Sequence, residues 1–416
     1  MAKKKKKPTK KPTPAKAETP AKAKPPAKAK VFKGTAFAAF LAKSQKTWPG
    51  TVQVAEKLDK GLRLISTGNL GLDIATYGGI PGGRITRYYG KEKSAKTGSS
   101  LNTMASFQAN HCGVCYEAGP CKHGKKNGVD RPFANGLWVD AENRLRDMWG
   151  WVEGHGVLLD HLLVQAPPSG QYIVDYVDAV IREKGTGIGL IVVDSIAHMV
   201  SEDELKKASL KGKTIGRNAQ LVNLACRKWT TAVNALGVEE RVHPTIIMIN
   251  QLRMKTDGFG NPEVMPGGIG QDYATSLDIR FSRGKTHYLV PAAKGGGWED
   301  KAQGTYGDRW KPDPDASADY AEIKYRVTAS GVCGVGRYGD FQYWCREAHG
   351  RRKGDPDNMA RLWGYAKTIK LMEKGANGYE MCGLTAPTQL ALKQQFLADP
   401  VAQKIAWDKV VAELMT

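Results

Sequence analysis

No apolar run in the sequence approaches the ~18 residues that a membrane-crossing helix requires, although its 416 residues are 41% hydrophobic. The opening lysines are followed by no apolar stretch, so no secretory leader is expected. Nor are there the paired, dense cysteines of a disulfide scaffold. Seven cysteines, an odd number in so long a chain, point to a reducing compartment. Acidic residues are scarce, 41 against 62 Lys and Arg, and the resulting net charge of +21 implies polyanionic partners. Residues 1–30 lack acids almost entirely, with 12 Lys and one Glu, so they carry +11 and leave +10 of the +21 to the rest. This Lys/Pro/Ala tail cannot bury a core and is expected to be disordered. It reads either as a solubilising or localisation tail or as a polycation that holds nucleic acid by counterion release.

What is present is a long alternation of short apolar strands and amphipathic helices. "ITRYY" (85–89), "GLWVD" (136–140), "HLLVQA" (161–166), "GLIVVD" (189–194) and "PTIIMIN" (244–250) read as buried strands. Between two of them, "QYIVDYVDAVIREKG" puts Tyr172, Ile173, Tyr176, Val177, Val180 and Ile181 on one helical face. Such repetition predicts an α/β fold with a mostly parallel central sheet, which binds ligands at the carboxyl ends of its strands. Four segments are expected. Residues 1–30 are the basic tail, and 31–62 hold a short apolar helix ending before Pro49. Residues 63–352 are the core and 353–416 a small, mostly helical C-terminal α/β domain. Residues 284–320, rich in Gly, Asp and Pro, read as a long loop.

"GKEKSAKT" (90–97) follows one of these strands and precedes a helix, the setting of a phosphate-binding P-loop, G-x-x-x-x-G-K-[ST]. In that reading Gly90, Lys91, Glu92, Lys93, Ser94, Ala95 and Gly98 shape the loop, Lys96 adds a point charge, and Thr97 binds Mg²⁺. Ala95 stands where the motif has glycine; if the position needs a positive φ, its methyl costs ~1–2 kcal/mol. Asp194 ends an apolar strand, where a Walker-B carboxylate belongs. Glu142 lies just past another strand, where a base for an attacking water would sit. Asn250 and Gln251 end a third, placed to sense a γ-phosphate.

"ISTGNLGLDIATYGGIPGGRITRYYG", "VDAEN", "IVVDSIAHMV", "INQLRMK" and "FGNPEVMPGGIGQDYATSLDIR" stand in this order, and with them the chain resembles the RecA-type recombinases. The resemblance runs from about residue 34 to the C-terminus and is strongest over 65–282. It implies a RecA-like P-loop ATPase core behind an N-terminal oligomerisation helix, whose Phe37, Phe40 and Leu41 would pack on the next protomer. It also implies a DNA-dependent ATPase, active in recombination and repair, that forms a helical filament on single-stranded DNA and pairs it with double-stranded DNA. Loader or ssDNA-binding proteins are possible partners, and no membrane is involved. By the match, Lys96, Glu142 and Gln251 are catalytic, Asp194 is the Walker-B acid and Trp149 stacks on adenine.

Two segments correspond to the family's DNA-binding loops. The first offers Lys211, Lys213 and Arg217, followed by Asn223 and Arg227. The second offers Arg253, Lys255, Phe259, Gly267 and Gly268. The non-glycine at Ala95 is similar to phage members such as UvsX, which implies the cytoplasm of a bacterial host. Ile269 replaces a DNA-contacting asparagine, and the lysines that reach a neighbour's ATP have no clear match. Competing readings are a slow or non-hydrolysing ATP-binding DNA scaffold, a DNA-compacting protein dominated by its tail, and a RecA-fold helicase.

Between Thr97 and Glu142 lie 44 residues, more than the RecA pattern needs. The insert, 111–133, contains Cys112, Cys115, Cys121 and His123 in the spacing C-x₂-C-x₅-C-x-H, which suits a closed tetrahedral zinc site with a structural role. His111 is a rival for the fourth position.

Overall fold

The computed structural model describes residues 36–49, 52, 54, 63–118, 121–124, 132–206, 216–236, 243–254, 263–292, 297–303, 311–313 and 315–415. The tail 1–30 and four of the expected DNA contacts, Lys211, Lys213, Lys255 and Phe259, lie outside the described residues. The chain divides into two units, Met1–Val52 and Gln53–Thr416. In the first, helix α1 (Ala36–Thr47) stops short of Pro49, with Phe37 and Phe40 exposed on it.

The second unit starts with a two-stranded ribbon, β1 (Leu64–Ile65) and β2 (Ile80–Pro81), around helix α2 (Leu70–Ala75). There follow β3 (Ile85–Gly90), α3 (Lys96–Asn110), β4 (Asn135–Asp140), α4 (Trp149–Gly154), β5 (Leu162–Gln165) and α5 (Gly170–Arg182). Next come β6 (Ile188–Asp194), α6 (Glu202–Leu205), α7 (Arg217–Ala235) and β7 (Thr245–Gln251). A short ribbon, β8 (Arg253–Met254) with β9 (Glu263–Val264), and helix α8 (Gly270–Ala274) lead into β10 (Thr275–Pro291), β11 (Trp298–Gln303), β12 (Tyr320–Ser330) and β13 (Tyr338–Trp344). The strands from β3 to β13, the short ribbon excepted, form a nine-stranded sheet in the order β13-β12-β10-β3-β7-β6-β4-β5, with β11 also on β10. The pairs from β10 to β5 are parallel, while β11, β12 and β13 are added antiparallel.

Alternation along the central strands explains why both faces are covered. Leu190, Val192, Ile247 and Ile249 face α3, meeting Leu101, Met104 and Phe107. Ile191, Val193, Ile246 and Met248 face α5 and α7, meeting Ile173, Val177, Leu221 and Trp229. Gly136 on β4 makes room for the first contact, because a Cβ there would lie 2.1 Å from Met104 Sδ and displace that side chain. The predicted α5 face differs at one place. Val174 is buried, whereas Tyr172 is exposed and stacks on Tyr176.

The expectation of a long loop over 284–320 needs correction. β10 continues to Pro291 and pairs with both β11 and β12. Glycine and aspartate lower strand propensity locally, but cross-strand pairing with a partner distant in sequence overrides it. After β13 come α9 (Asn358–Thr368), a small sheet of β14 (Glu373–Gly375), β15 (Gly378–Met381) and β16 (Leu384–Ala386), then α10 (Gln389–Ala398) and α11 (Pro400–Leu414). Leu362, Trp363, Phe396 and Val410 form their core, which Leu70 and Ile74 of α2 join. Among the described residues no helix is long and apolar enough to cross a membrane.

Candidate functional site

The parallel strands deliver their terminal residues to one cleft. β3 ends at Gly90, where a Cβ would lie 2.1 Å from Phe281 O, so the loop begins with a position that only glycine fits. The chain turns through residues 91–95 and enters α3 at Lys96. Ala95 is held at φ 61°, ψ 25°, left-handed, so the penalty expected from the sequence applies. The ammonium of Lys96 donates to Gly90 O at 3.1 Å and Lys91 O at 2.7 Å, and burial pulls its pKa below the ordinary value. Thr97 Oγ1 donates to Asp194 Oδ2 at 2.8 Å, joining the loop to the end of β6. Burial, and then the Glu142 carboxylate nearby, pushes the Asp194 carboxyl up to about 7.

Glu142 Oε1 accepts from Gln251 Nε2 at 2.7 Å and from Ser195 Oγ at 2.7 Å, and His198 Nδ1 lies 2.9 Å away. The carboxylate after β4 is thus wired to the last residue of β7 and to the turn after β6. A cavity of about 400 Å³ connects these groups, with Glu92, Lys93, Ser94, Ala95, Lys96, Thr97, Gly98, Glu142, Asp194 and Gln251 on its wall. Met148, Trp151, Arg283, Tyr343 and Cys345 also line it. The tryptophan on this wall is not the expected one. Trp149 is 42% exposed and is not among the lining residues, whereas Trp151, two positions on, is. On α4 that step turns the side chain by about 200°, enough to exchange solvent for the cleft. Trp151 lies flat against Tyr343, with centroids 5.6 Å apart and planes 6° apart, and Lys353 Nζ sits 4.3 Å from its ring. His155 Nε2 fixes the Tyr343 hydroxyl at 2.9 Å, and burial holds the imidazole down at about 4, neutral at pH 7.

The spacing of P-loop motifs does not reveal that wall, nor Ser195 and His198. One trace was available in the sequence, Gly98. A Cβ there would lie 2.0 Å from Tyr343 Oη, so this glycine is a packing requirement of the wall. Two substitutions three residues apart should therefore act in opposite senses. Ala95→Gly relieves ~1–2 kcal/mol of left-handed strain against ~0.5–1 kcal/mol of added chain entropy. Its melting temperature should hold or rise by up to ~4 °C. Gly98→Ala should melt lower by several degrees and bind nucleotide at least about tenfold more weakly, because the wall must move. Thermal melts with a nucleotide titration check both, and an Ala95→Gly chain that melts lower would contradict the strain argument.

The two expected DNA segments touch where α7 packs on the turn before α8. Arg217 opens α7 and pairs with Asp203 at 2.6 Å, while Arg227 on α7 and Arg253 on β8 are exposed. Gly267 and Gly268 take φ 96° and 69°, and a Cβ on Gly268 would lie 3.0 Å from Ala219 Cβ. Asn223 crosses to the same turn, since its Oδ1 would meet a Cβ on Gly270 at 1.9 Å. The two segments therefore share one contact between α7 and α8.

The described residues of the insert form a knuckle at the other end of α3. The ligand atoms of Cys112, Cys115, Cys121 and His123 all lie within 4.8 Å of one another. His123 Nδ1 is 3.7 Å from Cys112 Sγ and 3.9 Å from Cys121 Sγ. Tetrahedral zinc with Zn–S of ~2.3 Å sets ligand–ligand edges of about 3.5–3.8 Å, so the set fits that ion. His111 is instead buried against Phe107, 4.8 Å between centroids. Of the remaining cysteines, Cys226 is buried and Cys333, Cys345 and Cys382 are partly so.

The profile of the RecA N-terminal domain matches residues 39–288. Protein RecA of Mesomycoplasma hyopneumoniae is 34% identical over 231 residues, 55% of this chain and 59% of that protein. Protein RecA of Helicobacter pylori is 34% identical over 235 residues, 56% of this chain and 58% of that protein. Protein RecA of Sulfurimonas denitrificans is 33% identical over 235 residues, 56% of this chain and 59% of that protein. The chain thus spans under two thirds of the length of these relatives, yet the domain match covers more than half of its own, and Lys96, Glu142, Asp194 and Gln251 all fall inside it: this chain belongs to the RecA family.

Proposed function

We propose that the chain is an ATP-dependent recombinase that coats single-stranded DNA as a helical filament, pairs it with a homologous duplex and serves recombination and repair. One observation carries the reading: Lys96, Thr97, Asp194, Glu142 and Gln251 meet in one cleft, and the last of them opens the segment that leads to Gly267 and Gly268. In this mechanism the backbone N–H groups of residues 91–97 and the Lys96 ammonium hold the phosphates. Thr97 and Asp194 would hold Mg²⁺, which supplies charge neutralisation at the β- and γ-phosphates when bound. Glu142 takes the proton of the attacking water. Gln251, hydrogen-bonded to that carboxylate, senses the water's place and passes its state to the 253–268 segment. Arg217, Asn223, Arg227, Arg253, Gly267 and Gly268 face DNA through backbone contacts and close approach.

The knuckle is read as a structural zinc site, the oligomer as a filament of identical chains and the setting as a bacterial cytoplasm, with the phage-type character resting on Ala95. A second reading, a DNA scaffold that turns ATP over slowly, is favoured by the left-handed Ala95. Electron microscopy with ssDNA, with and without a non-hydrolysable ATP analogue, tests the proposal. Filaments that need the analogue support it, and DNA binding indifferent to nucleotide removes it. Fast ssDNA-stimulated hydrolysis excludes the scaffold.

A further inference from the structure

Arg87 lies on β3, three residues before Gly90, and only 3% of its side chain is exposed. A buried guanidinium must be paired, and Asp278, its neighbour across β3 and β10 and 4% exposed, pairs it through Nη2. One carboxylate satisfies that charge. Arg87 nevertheless makes a second ion pair, Nη1 to Asp272 Oδ1 at 2.6 Å, and Asp272 is 52% exposed on α8. This second pair is not needed to neutralise Arg87; it fastens α8 to the strand beneath the P-loop.

The residue before Asp272 makes a matching link to another strand. Gln271 is buried and donates to Pro266 O at 2.8 Å and Gly268 O at 2.9 Å, and its Oε1 accepts from Asn250 Nδ2 at 2.9 Å. Asn250 Oδ1 in turn accepts from the backbone N–H of Gln251. Consecutive residues of a five-residue helix thus reach the end of β7 and the middle of β3, the strands that lead into Gln251 and the P-loop.

We propose that Asp272 is a positioning residue that couples the 253–268 segment to the nucleotide cleft: through Arg87 it fixes α8, so that a change at the P-loop strand or at Gln251 moves Gly267 and Gly268 together with it. The proposal rests on the recombinase reading, because it assigns DNA to that segment. Asp272 is not among the residues on the cleft wall, and its effect is on the communication between cleft and segment.

The test is steady-state ATP turnover of the full chain with and without ssDNA, combined with binding of a fluorescent ATP analogue. Asp272→Asn keeps the size and removes the charge, while Arg87 keeps Asp278. ATP-analogue affinity and DNA-free turnover should stay within about twofold, and the ssDNA-stimulated rate should fall about fivefold or more. Asp272→Glu should restore most of it, which loss of mere packing would not predict. Full stimulation in Asp272→Asn, or an equal loss of ATP-analogue affinity, overturns the coupling alone. A wild-type chain with no response to ssDNA overturns the recombinase reading and the coupling with it.

Discussion

Lys96→Ala should leave a folded chain that neither hydrolyses ATP nor forms ATP-dependent filaments on ssDNA. The side chain sits at the first turn of α3 with its ammonium across the carbonyls of Gly90 and Lys91, on the same cleft wall as Thr97 and Asp194. Removing a preorganised cation from such a site costs roughly 10²–10³ in turnover, and among the described residues Lys93 is the one other lysine on the cleft wall. Glu142→Gln should part company with it. The amide keeps an oxygen for Ser195 and Gln251 but cannot take a proton, so nucleotide and DNA binding persist while turnover drops by about 10²–10⁴. The pattern is checked by ssDNA-stimulated ATPase together with analogue binding. Should Lys96→Ala keep its stimulated ATPase, the P-loop reading fails and the recombinase proposal fails with it.

Metal analysis should find about one zinc per chain, and changing both Cys112 and Cys115 to Ser should abolish it and lower the melting temperature by roughly 10 °C. The size follows from what the knuckle ties together. Cys112 bridges to Phe133 just ahead of β4, and Gly113 N–H donates to Pro132 O at 2.8 Å. Tyr116 is buried on Phe107 of α3, and Gly189 on β6 leaves room for its ring. Without metal, four clustered ligands lose the bonds that hold this turn together, and α3, β4 and β6 lose a shared clamp. Metal-free protein, purified under reducing conditions without chelator, would defeat the zinc assignment.

Much of the fold was legible because β3, β6 and β7 are short apolar runs between helices, a pattern that buried parallel strands impose on any sequence. The cleft was legible in part for the same reason. Asp194, Glu142 and Gln251 are polar residues placed where an apolar strand stops, and a parallel sheet stops its strands on one side. What the sequence hid depends on contacts between distant segments. His155 and Tyr343 are 188 residues apart, and Arg87 and Asp272 are 185 apart. No local period marks either pair. The β10–β11 hairpin was hidden differently, by a composition that reads as loop until β12 is present to pair with it.

Helix α3 starts at the P-loop and ends next to the knuckle, and at 15 residues it is about 22 Å long. Its two ends therefore answer to different reagents. With zinc at the knuckle, a chelator in a purification buffer acts on this protein twice, once on the divalent ion that accompanies ATP and once on the far end of the rod that carries Lys96 and Thr97. Adding back magnesium would reverse only the first. A preparation that stays inactive with magnesium and recovers with zinc has lost its footing, not its catalytic groups, and a weak ATPase measured without that control says little about Ala95.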